Sequence, residues 1–346
     1  MKAVYNDSIS RASTNLLKIF FEALVLLHHL TEPSTEFARM VDGLIGPVGV
    51  AGFLFLSGYG VGVSFKSKGQ DYVKTLYKKR IPRMYLIIVV TDLFYVILFL
   101  LKGNKFKSLL GFVSSVLYVP LFSGYVTLSH WLYFIADLAI YYIMFVVMAM
   151  LLKKCKNRLR ASALGVLCLD AILIIVLSII NAKTGSSRHM RACLMFPLGL
   201  FFADFGSNLS NFVKINKYKI SAITFVLGCL FCFIGSTSLN EYLITSLFAL
   251  SIIALFLGVE FKSEVVDVLS KHVIFVYLSH EFFYKMLLHF VPSWNALLFF
   301  EITVIYSVTF AIIAKKKFPK VEEGFKRLYG KNKHKLKILW RKKEAQ

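Results

Sequence analysis

The sequence predicts an all-α, polytopic membrane protein of about ten transmembrane helices with both termini in the cytoplasm, and three observations carry that expectation. Hydrophobic residues make up 57% of the 346, charged residues only 17%, and the mean hydropathy is +0.67. A soluble core of this size needs more polar cover. Apolar windows long enough to cross a bilayer recur from end to end, near 15–31, 44–65, 84–101, 129–151, 162–181, 192–206, 220–236, 242–259, 273–291 and 297–314. Finally, 32 of the 41 lysines and arginines fall in segments that alternate onto one side of those windows, which orients both termini inward. The net charge of +22 is thereby spent on a membrane face, and no nucleic-acid partner is expected.

The first window, NLLKIFFEALVLLHHL, carries Lys18, Glu22, His28 and His29. Ionisable groups inside a span mark a pathway or a reaction centre more often than an anchor. Lys18 and His29 stand eleven positions apart, which brings them to within about 20° of one face and roughly 16 Å along the axis. Glu22 shares the face, and His28 points about 100° away as the weaker candidate. The plainer reading has Lys18 snorkelling, Glu22 neutralising it at i+4 and His29 bonding another helix. The second window holds six glycines from Gly46 to Gly62, a density that permits close helix packing or a broken helix.

A basic segment, KSKGQDYVKTLYKKRIPRMYL, follows and sets Arg80 and Arg83 three residues apart. Guanidinium forks grip phosphate oxygens bidentately, so this pair suits a phosphorylated ligand, whereas Lys74, Lys78 and Lys79 read as positive-inside anchors. The third window leads to the longest outer segment, 102–128, apolar enough for an interfacial or re-entrant element. The fourth opens on Trp131, an interface anchor, and contains Asp137. Asp92, Asp170 and Asp204 are lone acids whose default is helix-to-helix hydrogen bonding.

Cys155, Cys168, Cys193, Cys229 and Cys232 form neither a disulfide framework nor a metal cluster, and no metal is expected. No cleavable signal peptide is expected, so the first span serves as its own insertion signal. The ninth window carries His280, Glu281 and Lys285: His280 is a second-site candidate, and the other two pair one turn apart. Residues 1–314 thus make one membrane domain. Residues 315–346 form a basic cytoplasmic tail in which Phe318, Val321, Phe325 and Leu328 lie at helical spacing, as in a helix resting on the inner leaflet.

Taken together, Lys18-x10-His29, GFLFLSGYGVG at Gly52 to Gly62, Arg80-x-x-Arg83, SHWLYFIADLAIYYI from Ser129, MFPLGLFFADF from Met195 and VYLSH ending at His280 resemble, in order and spacing, acyltransferase family 3. Lys18 stands where arginine is commoner, keeping the charge without the fork, and Pro82 precedes the second arginine instead of following it. The resemblance implies a membrane acyltransferase that moves an acyl group, acetyl above all, from a cytoplasmic acyl-CoA to a hydroxyl of a cell-surface glycan or its lipid-linked precursor, in a bacterial plasma membrane. Acyl-CoA is then a co-substrate and no cofactor is permanently bound. The implied catalytic set is His29 with Lys18 and Glu22, the donor set Arg80 and Arg83, and a possible second site His280, Asp137 and Trp131. The imidazole of His29 either deprotonates the acceptor or carries the acyl group itself. The competing class is a polysaccharide or lipid transporter or flippase, which would use buried charges for coupling and show inverted repeats. A polymerase would expose a large outer loop, and a non-enzymatic assembly partner would tolerate loss of Lys18 and His29.

Overall fold

In a computed structural model of the full chain, residues 9–30, 36–101, 133–184, 194–233, 238–259, 261, 263–290 and 301–324 are described, and among them the secondary structure is helical throughout. The helices are α1 Arg11–Leu30, α2 Glu36–Lys68, α3 Gln70–Thr75, a π-helical turn Leu76–Arg80, and α4 Ile81–Leu101. They continue with α5 Tyr133–Leu151, α6 Arg158–Thr184, α7 Met195–Ile215, α8 Lys217–Phe233, α9 Ser238–Phe256, α10 Glu264–Ser270, α11 Val273–Phe290 and α12 at 301–324. Each of the ten apolar windows falls on one of these helices. Among the described residues, Gly43–Lys68 and Arg158–Val176 are long and apolar enough to cross a membrane unaided.

Exposure separates the centre of the bundle from its rim. The apolar window of α2 is 78% buried and that of α6 only 28%. On α6 the side chains Leu164, Ile172, Ile175 and Ile179 are bare, as are Ile223, Phe225, Val226 and Leu230 on α8. Apolar surface on this scale is untenable in water and ordinary in lipid.

Between apolar helices in lipid, association rests on close packing and hydrogen bonds, because lipid tails are as apolar as leucine. The glycines of α2 supply that closeness on two faces. A Cβ on Gly49 would meet the Phe21 carbonyl and Val25 of α1, and one on Gly52 would enter the Phe21 ring. On the opposite side, a Cβ on Gly58 would run into the Phe196 carbonyl of α7, while Gly199 returns the contact against the Phe55 carbonyl. The α2–α7 seam is accordingly the most extensive helix contact in the bundle. The six-glycine window thus works as a packing surface.

Polar groups pin the helix ends. Ser10 caps α1, its Oγ accepting the Ser13 amide at 3.1 Å. The Ile9 amide donates to the Tyr59 hydroxyl at 2.8 Å, Ser13 Oγ to the Val259 carbonyl at 2.9 Å, and Asn15 Nδ2 to Asp267 Oδ1 of α10 at 2.7 Å. The backbone of α7 breaks at Gly206, where φ is 61°, and Lys66 closes the free end by donating to the carbonyls of Ala203 at 2.7 Å and Asp204 at 2.8 Å. Lys66 thus acts as a helix cap. Asp204 holds Arg160 at 2.8 Å. Asp170 accepts the Tyr141 hydroxyl at 2.8 Å, and Ser221 and Ser251 join α8 to α9 at 2.8 Å.

Helix α12 runs unbroken from 301 to 324, so residues 315–324 extend the last apolar window without a bend onto a lipid surface. Phe318 is buried against the Phe275 ring of α11, centroids 5.7 Å apart, while Val321 is exposed. Phe325 and Leu328 lie outside the described residues, as do 102–128, Cys193 and Trp131.

Candidate functional site: a cationic rim above a buried polar helix

Helix α1 turns Leu17, Phe21 and Val25 into the core at successive turns, each at most 1% exposed. That orientation sets the neighbouring stripe. Lys18 lies within electrostatic reach of two other cations, Arg11 two turns earlier on the same face and Arg80 at the end of the π-helical turn. Among the described residues no carboxylate forms an ion pair with Lys18 or Arg80. Like charges gathered without a counter-ion repel one another, so the arrangement favours an anion that bridges them.

Arg80 is oriented by aromatic residues. Its Cζ lies 5.4 Å from the centroid of the Tyr72 ring, a cation–π contact, and its guanidinium also interacts with the hydroxyl of buried Tyr142, which reaches Ser57 of α2. Burial raises the Tyr72 phenol above its ordinary value and Arg80 opposes the rise, so the contact is to a neutral ring. The wide turn at Leu76–Arg80 inserts an extra residue per turn just before Arg80, a device frequent at functional sites. Arg83, three residues on, looks elsewhere. Its Nε lies 3.9 Å from Glu322 Oε2 and its Cζ 5.5 Å from the Phe318 ring of α12. The two arginines of the motif therefore have separate partners.

One turn deeper than Lys18, Glu22 is 4% exposed and, among the described residues, neither of its carboxyl oxygens has a hydrogen-bond partner. The i+4 neutralisation of Lys18 by Glu22 is not formed. The backbone of His29 belongs to α1, and its side chain lies outside the described residues. His28, the weaker candidate by sequence, packs against the bare backbone of Gly46 and lies within electrostatic reach of His280. His280 is fully buried, with Nδ1 3.3 Å from the Val276 carbonyl and its ring 5.8 Å from that of Tyr277. The proximity of His28 on α1 to His280 on α11 was thus missed in the sequence. The signal available was Gly46, which makes room for a side chain on the His28 face.

Asp137 lies near enough to Asp170 to interact with it, in the seam between α5 and α6. The side chains of Glu281 and Lys285 lie outside the described residues, so their expected pairing does too. Among the described residues no three His, Cys, Asp or Glu side chains gather as a metal would require.

No curated protein and no solved structure matches the chain. A family model described as an acyltransferase domain matches residues 11–316, which run from the first turn of α1 into α12 and include every charged residue of the cationic rim, His28 and His280. With that match over nearly its whole length, and with its apolar helices, the chain belongs to acyltransferase family 3 and is a membrane acyltransferase.

Proposed function

We propose that the protein crosses a bacterial plasma membrane ten times with both termini inside, and moves an acetyl group from cytoplasmic acetyl-CoA to a hydroxyl of a cell-surface glycan or its lipid-linked precursor. The observation that carries this reading is that Lys18 lies within electrostatic reach of both Arg11 and Arg80, with no ion pair to a carboxylate among the described residues. Phosphates of the donor bind there, bidentately on Arg80, which Tyr72 and Tyr142 hold in place. The thioester then extends along α1 past Glu22 toward His29, about 16 Å deeper than Lys18.

In the chemical step the imidazole of His29 takes the proton of the acceptor hydroxyl as its oxygen attacks the thioester carbonyl. The C–S bond breaks, and the proton passes to the departing thiolate. In the covalent variant the imidazole nitrogen attacks first and CoA leaves before the acceptor arrives. His280 and His28 lie beside this path and position the acceptor.

Labelled acetyl-CoA and purified protein in nanodiscs test the reading. His29→Ala should bind the donor as wild type does and lose about 100-fold or more in turnover. A stoichiometric release of CoA without acceptor identifies the covalent route. A wild type that neither binds nor consumes acetyl-CoA or any other acyl-CoA refutes the proposal.

A further inference from the structure

Helices α4, α11 and α12 line a partly open cavity of about 70 Å³ that has no part in the mechanism above. Its walls include Val90, Leu278, Phe282, Phe283 and Phe310. Thr91 and Ser279 also border it, but the Ser279 hydroxyl donates to its own helix, to the Phe275 carbonyl at 2.8 Å, and leaves an apolar face. The lining follows helical stripes. On α4 it comprises Ile87, Val90 and Thr91, and one turn before Ile87 on the same face stands Arg83. On α12 it comprises Phe310, Ala314 and Phe318, and one turn beyond stands Glu322. The stripes therefore end together at the Arg83–Glu322 pair, with the Arg83 guanidinium over the Phe318 ring that forms the cavity wall. From Arg83 to Thr91 the stripe is about 12 Å long.

We propose that this cavity and Arg83 form a site for one anionic phospholipid of the surrounding leaflet, a hydrocarbon chain between the phenylalanines and the phosphate on Arg83. Charge complementarity argues for this occupant. An inorganic anion has no use for a phenylalanine-lined cavity, and a neutral hydrocarbon has none for the arginine at its end. The ion pair to Glu322 is, at 3.9 Å, about 1 Å longer than a charge-assisted hydrogen bond, so it leaves guanidinium donors for a phosphate. Arg83 is 48% exposed, as a headgroup ligand must be. The site lies apart from the cationic rim, since Arg83 turns to Glu322 and Phe318 while Arg80 turns to Tyr72.

The test is native mass spectrometry of the full-length protein released from nanodiscs of equal parts phosphatidylglycerol and phosphatidylcholine. Wild type should retain one phosphatidylglycerol, favoured about fivefold over phosphatidylcholine. Arg83→Gln should abolish the preference while lipid is still retained, and Leu278→Trp, which fills the cavity, should abolish retention. Three results overturn the proposal: no preference in wild type, retention by Leu278→Trp equal to wild type, or displacement of the lipid by CoA or palmitoyl-CoA, which would make the cavity part of the donor site. Each is read by mass and is unaffected by whether the protein turns over.

Discussion

Replacing Arg80 with alanine removes one of the two cations within electrostatic reach of Lys18 and leaves Lys18 and Arg11 in place. A charge-assisted hydrogen bond to a phosphate contributes about 1.5–3 kcal/mol, and each 1.4 kcal/mol is tenfold in affinity. Arg80 is exposed, which screens its charge and places the expectation toward the lower end of that range. Donor binding should thus weaken about 10- to 50-fold in 0.15 M salt, mostly as a rise in KM, with kcat within about threefold because the group acts on bound donor and transition state alike. Lys18→Met should weaken binding by a similar factor. The double variant should lose less than the product of the two, since removing either cation also relieves repulsion on the other. Lys79→Ala is the control, an exposed lysine beside Arg80 that should shift affinity by less than about threefold. Equilibrium binding of labelled acetyl-CoA to protein in nanodiscs reads all four. Equal losses for Lys79→Ala and Arg80→Ala would mean that the rim acts as a diffuse positive surface, and the argument for a built phosphate site would fail.

Other consequences follow from packing. Gly58→Leu forces a side chain into the Phe196 carbonyl and should cost about 1–3 kcal/mol, seen as a lowered melting temperature in detergent, whereas Gly60→Ala, which meets nothing within 4 Å, should be neutral. Tyr59→Phe removes the hydroxyl that accepts the Ile9 amide at 2.8 Å and should lower stability by about 1–3 kcal/mol, with faster hydrogen exchange confined to the start of α1. Glu22→Leu replaces an unpartnered buried carboxyl with carbon and should raise the melting temperature while cutting turnover; a variant that is both more stable and fully active would exclude Glu22 from the reaction.

The individual residues of the rim were legible in the sequence, but their meeting was not. Lys18 and Arg80 are each conspicuous by type and place, yet 62 residues separate them, and no periodicity connects a helix face to the end of a π-helical turn. Periodicity places His28 only relative to its own helix. Measured against Lys18 alone it points away, while the contact that gives it a role comes from Gly46 of another helix. Arg80 and Arg83 stand three residues apart in the sequence, yet Tyr72 and Tyr142 contact the first and Phe318 and Glu322 the second. Lys66 shows the same limit in miniature: nothing local distinguishes a membrane anchor from the cap of a distant broken helix.

What the sequence by itself determined is the helical class, the position of ten helices and the inventory of charged residues. A lipid phase leaves a backbone no partner but itself, so an apolar window of sufficient length must be a helix wherever the rest of the chain goes. What only the tertiary structure decided is which faces meet. Lipid tails compete equally for every apolar side chain, so the choice falls to glycine against carbonyl at Gly58 and Gly199, aromatic ring against cation at Tyr72 and Phe318, and serine against serine at Ser221 and Ser251. Those pairings lie between helices, and it is they that bring Lys18 to Arg80 and leave Glu22 buried without a partner among the described residues.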